Sequence, residues 1–269
     1  MPASLPAFPY GFIVAEHDAR HQRVIRVSRA GAITHRYDCD DLPLDLDLRA
    51  DGHLLLTTRK AVIHLDADWK EIWRYAIDEV FISACQWLPD DLVLVADTSR
   101  AQINIVDRNR QVVRAVDLPR SPDLAPPYNL CRNVRQLDNG RVLVACLHDR
   151  KVAEFDWDRG LVWHAPVEGP PYMARRLANG HTLASLGPSG RIVELDHAGL
   201  VVQRYDMTED HGLERGWIAG ITLQPDGTVT YSDSKHDRLV AFDWATKAMR
   251  GCFQDREILL HPSTHLITP

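Results

Sequence analysis

Apolar residues in this chain fall in short runs bounded by Gly, Asn, Asp or Pro, and no long segment follows the 3.6-residue period of a helix. Turn signals stand at Asp51-Gly52, Pro89-Asp90-Asp91, Asp138-Asn139-Gly140, Ala178-Asn179-Gly180 and Pro225-Asp226-Gly227. Each precedes an apolar run: Leu54–Leu56, Leu92–Val95, Val142–Val144, Thr182–Ala184 and Thr228–Tyr231. A second strand-like run follows and ends in Asp, as in Val62-Ile63-His64-Leu65-Asp66 and Ile192-Val193-Glu194-Leu195-Asp196. Asn-Gly and Asp-Gly supply the positive φ of tight hairpins. A further strand closes each unit, as in Glu71–Tyr75 and Val201–Tyr205.

The terminal aspartates are Asp66, Asp107, Asp156, Asp196 and Asp243, spaced 41, 49, 40 and 47 residues apart. That period belongs to four-stranded propeller blades. Five full units are visible, and the two ends supply a sixth. Gly11–Val14, Val24–Val27 and Ile33–Tyr37 read as second, third and fourth strands with no first strand before them. The tail from Ile258 to Thr268 supplies it, which removes the unpaired edges of an open array. The pattern predicts an all-β, six-bladed β-propeller of four-stranded antiparallel blades, its first blade closed by the C-terminal strand. The whole chain, 1–269, forms one domain, with blades at about 9–41 plus 257–269, 43–80, 81–120, 128–168, 171–207 and 217–255.

The segments Arg175–Leu183 and Gly190–Gly199, with Asn133–Gly140 and Gly160–Trp163, resemble the repeat of arylsulfotransferase-type and quinoprotein-like propellers, which runs "LxNGNTL…GRIVELDxxGxVVW". Ser232–Asp243 is similar to an NHL-type repeat. The resemblance spans nearly the whole chain and implies a fold. These residues make turns and blade packing, so no catalytic residue is carried over from it.

A net charge of −6 offers no basic surplus to displace counterions, so no nucleic-acid partner is expected. No run reaches the roughly 18 apolar residues of a membrane helix, so no membrane partner is expected either. Met1–Pro6 has neither a basic head nor an apolar stretch, and the five cysteines are scattered without C-x-x-C, which predicts reduced thiols in the cytoplasm. No metal and no cofactor are expected. His17-Asp18, His148-Asp149 and His236-Asp237 occupy turns of blades spread around the ring, and there is no H-E-x-x-H, P-loop or G-x-S-x-G.

Two connections from a fourth strand to the next first strand are extended, Leu118–Pro127 and Asp206–Gly216, and both project from one face. Insertions confined to one face of a repeat protein mark its binding surface. The second carries His211 and Glu214, candidates for proton transfer. Tyr128, Tyr172 and Trp217 would form aromatic walls, and Arg132, Arg135 and Arg175 would hold an anionic or carbonyl group. Aligned on their turns, the inner strands place Asp47, Gln86, Arg135, Arg175 and Thr222 at one position, with Asp45 on the face of Asp47. That set reads either as an anion site or as an Asp–Arg network closing the channel. His261, on the closing strand, is placed to see the channel.

The expectation is a small-molecule enzyme with a pocket at the channel mouth. It would run metal-independent acid–base chemistry (lyase, isomerase, cyclase or hydrolase) on an anionic or aromatic organic substrate. The alternative is a non-enzymatic scaffold holding a protein or peptide at the same face. Arylsulfotransferase-like sulfuryl transfer, implied by the resemblance alone, is a third.

Overall fold

The computed structural model describes residues 5–18, 21–78, 81–120 and 130–268. They form six antiparallel sheets of four strands each, wound into a six-bladed β-propeller. The innermost strands are Pro262–Thr268 in blade 1, then Pro43–Leu48, Ile82–Trp87, Asn133–Gln136, Met173–Arg176 and Ile218–Leu223 in blades 2 to 6. Each lies beside the next, and Pro262–Thr268 touches both Ile218–Leu223 and Pro43–Leu48, so the ring is closed. The C-terminal strand pairs antiparallel with Gly11–Asp18, His265 opposite Val14, as the incomplete first unit requires.

The repeated Asp has a local cause. Asp66, Asp107 and Asp196 each turn Oδ1 back onto the backbone N–H four residues on, at 2.9, 2.8 and 2.9 Å. Each thereby ties the third strand to the fourth through an Asx-type turn. Asn139-Gly140 and Asn179-Gly180 close the first hairpins of blades 4 and 5 with Gly φ of +80° and +81°.

Middle strands such as Leu54–Thr58 and Val93–Asp97 are buried on both faces, because each blade is packed between two others. Outer strands such as Val112–Asp117 face solvent along most of their length. The extended 206–216 connection contains a one-turn helix, Met207–His211, capped by the Asp206 side chain on the N–H groups of Thr208 and Glu209. Among the described residues no helix is long and apolar enough to cross a membrane.

Candidate functional site

All six inner strands start at the same end of the axis, and there their first residues enclose a cavity of about 510 Å³. Every blade contributes. Blade 1 brings His261, Ser263, Thr264 and, from the end of its second strand, His17. Blade 2 brings Leu42, Leu44 and Arg59, blade 3 Phe81, and blade 4 Arg132. Blade 5 brings Tyr172 and Met173, and blade 6 Trp217, Ala219, Ser234 and Lys235. A concave site whose exposed lining is mostly apolar is what a small organic ligand needs.

Many of the polar groups already have partners. Thr264 Oγ1 donates to Leu44 O at 2.9 Å, Ser263 Oγ to Ala15 O at 3.1 Å and Ser234 Oγ to Pro262 O at 2.6 Å. Arg59 Nε is 2.9 Å from Asp41 Oδ1. Lys235 Nζ donates to Arg215 O at 3.2 Å and lies 3.7 Å from Glu214.

Two groups stand apart. The Arg132 guanidinium lies between rings of the two flanking blades, 5.8 Å from the Phe81 centroid and 5.3 Å from that of Tyr172. Its Nε is buried without a hydrogen-bond partner, and among the described residues no carboxylate pairs with it. His17 Nδ1 is also buried and unpartnered. The His17 ring stacks on His261 with centroids 6.4 Å apart. Burial, with the Arg132 and His261 charges nearby, pushes its pKa down to about 4, so the imidazole is neutral at neutral pH.

The Asp233 carboxylate shapes the wall from behind. It accepts from Trp217 N at 2.9 Å, Lys235 N at 3.2 Å, His236 Nδ1 at 2.9 Å and Arg238 Nε at 2.9 Å. The Trp217 ring meets Tyr172 edge to face at 5.1 Å.

Of the residues singled out from sequence, Arg132, Tyr172, Trp217 and His261 line this cavity. Tyr128 lies outside the described residues. Arg135, expected to hold substrate, is instead occupied: Nη1 and Nη2 take the two Asp45 oxygens at 2.7 and 2.8 Å, both side chains being buried. Asp47 accepts from Trp87 N at 2.7 Å, and burial raises its pKa. Arg175 is half-buried beside Arg135, Asp45 and Asp47, and desolvation with the Arg135 charge brings its pKa down to about 10. None of these three lines the cavity; they belong to a charge network deeper in the channel.

The two candidates for proton transfer are also elsewhere. His211 has both nitrogens engaged, Nδ1 at 2.9 Å from Tyr205 Oη and Nε2 at 2.7 Å from Lys247 O, and its ring packs against Phe242. The helical turn carries it outward onto blades 5 and 6. The Glu214 side chain is 76% exposed, 3.5 Å from His236 Nε2, and outside the lining. Sequence reasoning missed His17, Phe81, Arg59 and Lys235. Arg59 and Lys235 stand in the turn between the second and third strands of their blades, whereas His17 lies at the end of the second strand of blade 1 and is not in the turn expected for it. Phe81 immediately precedes an inner strand, as Arg132, Tyr172, Trp217 and His261 do, and that shared phase was the available signal. Among the described residues no three His, Cys, Asp or Glu side chains gather as a metal site would require.

No protein-family model and no curated protein matches the sequence. Solved structures match by shape. A protein of unknown function from Bacteroides caccae superposes with a TM-score of 0.83 at 18% identity, over 97% of this chain and 99% of that one. A streptogramin B lyase gives 0.66 at 9% identity, over 93% and 85%. Virginiamycin B lyase from Staphylococcus aureus gives 0.62 at 11% identity, over 82% and 73%; a catalytically inactive histidine-to-alanine form of that enzyme has been solved with quinupristin. At these identities the likeness shows the six-bladed fold.

Proposed function

We propose that this chain is an enzyme acting on a small organic molecule at the channel mouth, through an acid–base step of the lyase, isomerase or hydrolase kind. The reading rests on His17: an imidazole kept neutral by burial, lining a cavity built from all six blades. A neutral imidazole facing a bound substrate is a proton acceptor, and the proton it takes can be returned to the leaving group or product. The adjacent His261 imidazole, its Nε2 4.0 Å from Asp18 Oδ2, is placed to share that traffic. The concave lining supports a small ligand over a protein face docked on a flat rim. That lyases occur among propellers of this shape supports the elimination variant.

The test is a turnover screen in D2O, read by mass spectrometry for product and for deuterium at exchangeable carbon. It covers quinupristin, other esters and β-substituted carbonyl compounds. A substrate should emerge whose turnover falls at least about a hundredfold in His17→Ala. Full turnover in that variant on an identified substrate would remove the assignment.

A further inference from the structure

Resting on the small-molecule reading of this cavity, we infer that its ligand carries a single carboxylate, gripped edge-on by Arg132. Three observations converge on that group.

The first is charge. Arg59 is matched by Asp41, and Lys235 lies near Glu214, whereas Arg132 has no anionic partner among the described residues. One uncompensated cation calls for one negative charge, because a second charge on the ligand would be buried without a partner.

The second is shape. Phe81 and Tyr172 lie close to the guanidinium from opposite sides of blade 4, at 5.8 and 5.3 Å. With its faces occupied, the group offers its edge. The buried Nε is out of a ligand's reach, so the terminal Nη1 and Nη2 groups, which hydrogen-bond to no described residue, are the donors that form a planar fork towards the cavity. A planar two-oxygen anion fits this fork with two parallel hydrogen bonds. The third is surroundings: Tyr172, Trp217, Leu42, Leu44 and Met173 provide an apolar bed for an aromatic or unsaturated body behind the head group.

The anchor also bears on the base. The Arg132 charge is among the causes that hold down the His17 pKa. A carboxylate seated on Arg132 cancels part of that charge and makes His17 a better proton acceptor only when ligand is bound. The other charged or titratable groups facing His17 are His261, which opposes protonation, and Asp18, which favours it.

Equilibrium binding of four probes with one common body tests the anchor: 2-naphthoate, 2-naphthamide, 2-naphthalenesulfonate and 2-naphthyl phosphate, titrated calorimetrically at pH 7.5. The carboxylate should bind about tenfold or more tightly than the amide and more tightly than the sulfonate or phosphate. Arg132→Gln should abolish the preference, and Arg132→Lys should restore only part of it, since a point charge lacks the fork.

Equal binding of naphthoate and naphthamide overturns the inference, as does preference for the phosphate or sulfonate, or no binding of any probe at 5 mM. The wild-type selectivity stands without the variants if these fail to fold. Selective carboxylate binding with no turnover anywhere would sink the enzyme reading and leave the anchor. Turnover through His17 without head-group selectivity would do the reverse.

Discussion

Replacing Asp45 by Asn tests whether the channel network holds the ring together. Asp45 and Arg135 come from blades 2 and 4, which are not neighbours, so their bidentate pair reaches past blade 3. Asp45 Oδ2 also accepts Cys85 N from blade 3 at 3.1 Å. Four charges share this part of the channel, two of each sign: Asp45 and Arg135, which are buried, and Asp47 and Arg175, which are half-buried. Asp45→Asn leaves two cations and one anion, while the amide oxygen can still accept the Cys85 N–H. Breaking a buried pair by removing one partner costs about 3–5 kcal/mol. Because Asp47 remains in electrostatic reach of Arg135, the low end applies, about 3 kcal/mol.

With an unfolding entropy of about 2.1 cal/mol/K per residue, a chain of 269 residues loses roughly 2 °C of Tm per kcal/mol, so a drop of roughly 5 °C is expected. Adding Arg135→Met restores one charge of each sign and should recover most of that loss. The assay is thermal melting by circular dichroism on the two single variants, the double variant and the parent, closed as a double-mutant cycle. Additive single effects, or an Asp45→Asn melt within about 1 °C of the parent, would refute the view that this pair is a structural element.

Three further outcomes follow from the same geometry. His17 refuses a proton down to about pH 4 when folded and accepts one near 6.5 when unfolded, so its contribution to stability is complete above pH 6.5 and lost as pH falls towards 4. Between pH 7 and pH 4.5 the parent should lose about 2 kcal/mol more than His17→Gln in urea titrations, and equal losses would contradict the neutral buried imidazole. A Cβ at Gly216 would fall on the Asp233 carboxylate, which four donors hold in place. Gly216→Ala should therefore cost about 1–3 kcal/mol and alter Trp217 fluorescence, whereas an unchanged melt would show the loop gives way. Deleting residues 262–269 strips blade 1 of its inner strand and exposes the edge of Gly11–Asp18; the product should aggregate, and a monomer with parental Tm would show that closure is dispensable.

The fold was legible because its determinants are local and repeated. An Asp that folds back onto a backbone N–H four residues on marks the same corner in blade after blade, and a first unit with three strands and a tail with one can pair only with each other. The site has no such local signature. His211 stood out through the composition of its loop, yet its direction is set by the cap at Asp206, whose helical turn delivers the imidazole to Tyr205 and the Lys247 carbonyl. Arg135 and Arg132 are three residues apart on one approach to the axis, one committed to Asp45 and the other to an aromatic clamp. Nothing in their immediate sequence separates them, since the deciding partners sit in other blades. What locates a residue on the rim is its phase within the repeat: Leu42, Phe81, Arg132, Tyr172, Trp217 and His261 each stand immediately before an inner strand and reach the cavity together. In a closed ring, then, a loop's own chemistry is a weaker guide to the site than the corresponding corner of every blade, because closure makes neighbours of corners that the chain keeps some forty residues or more apart.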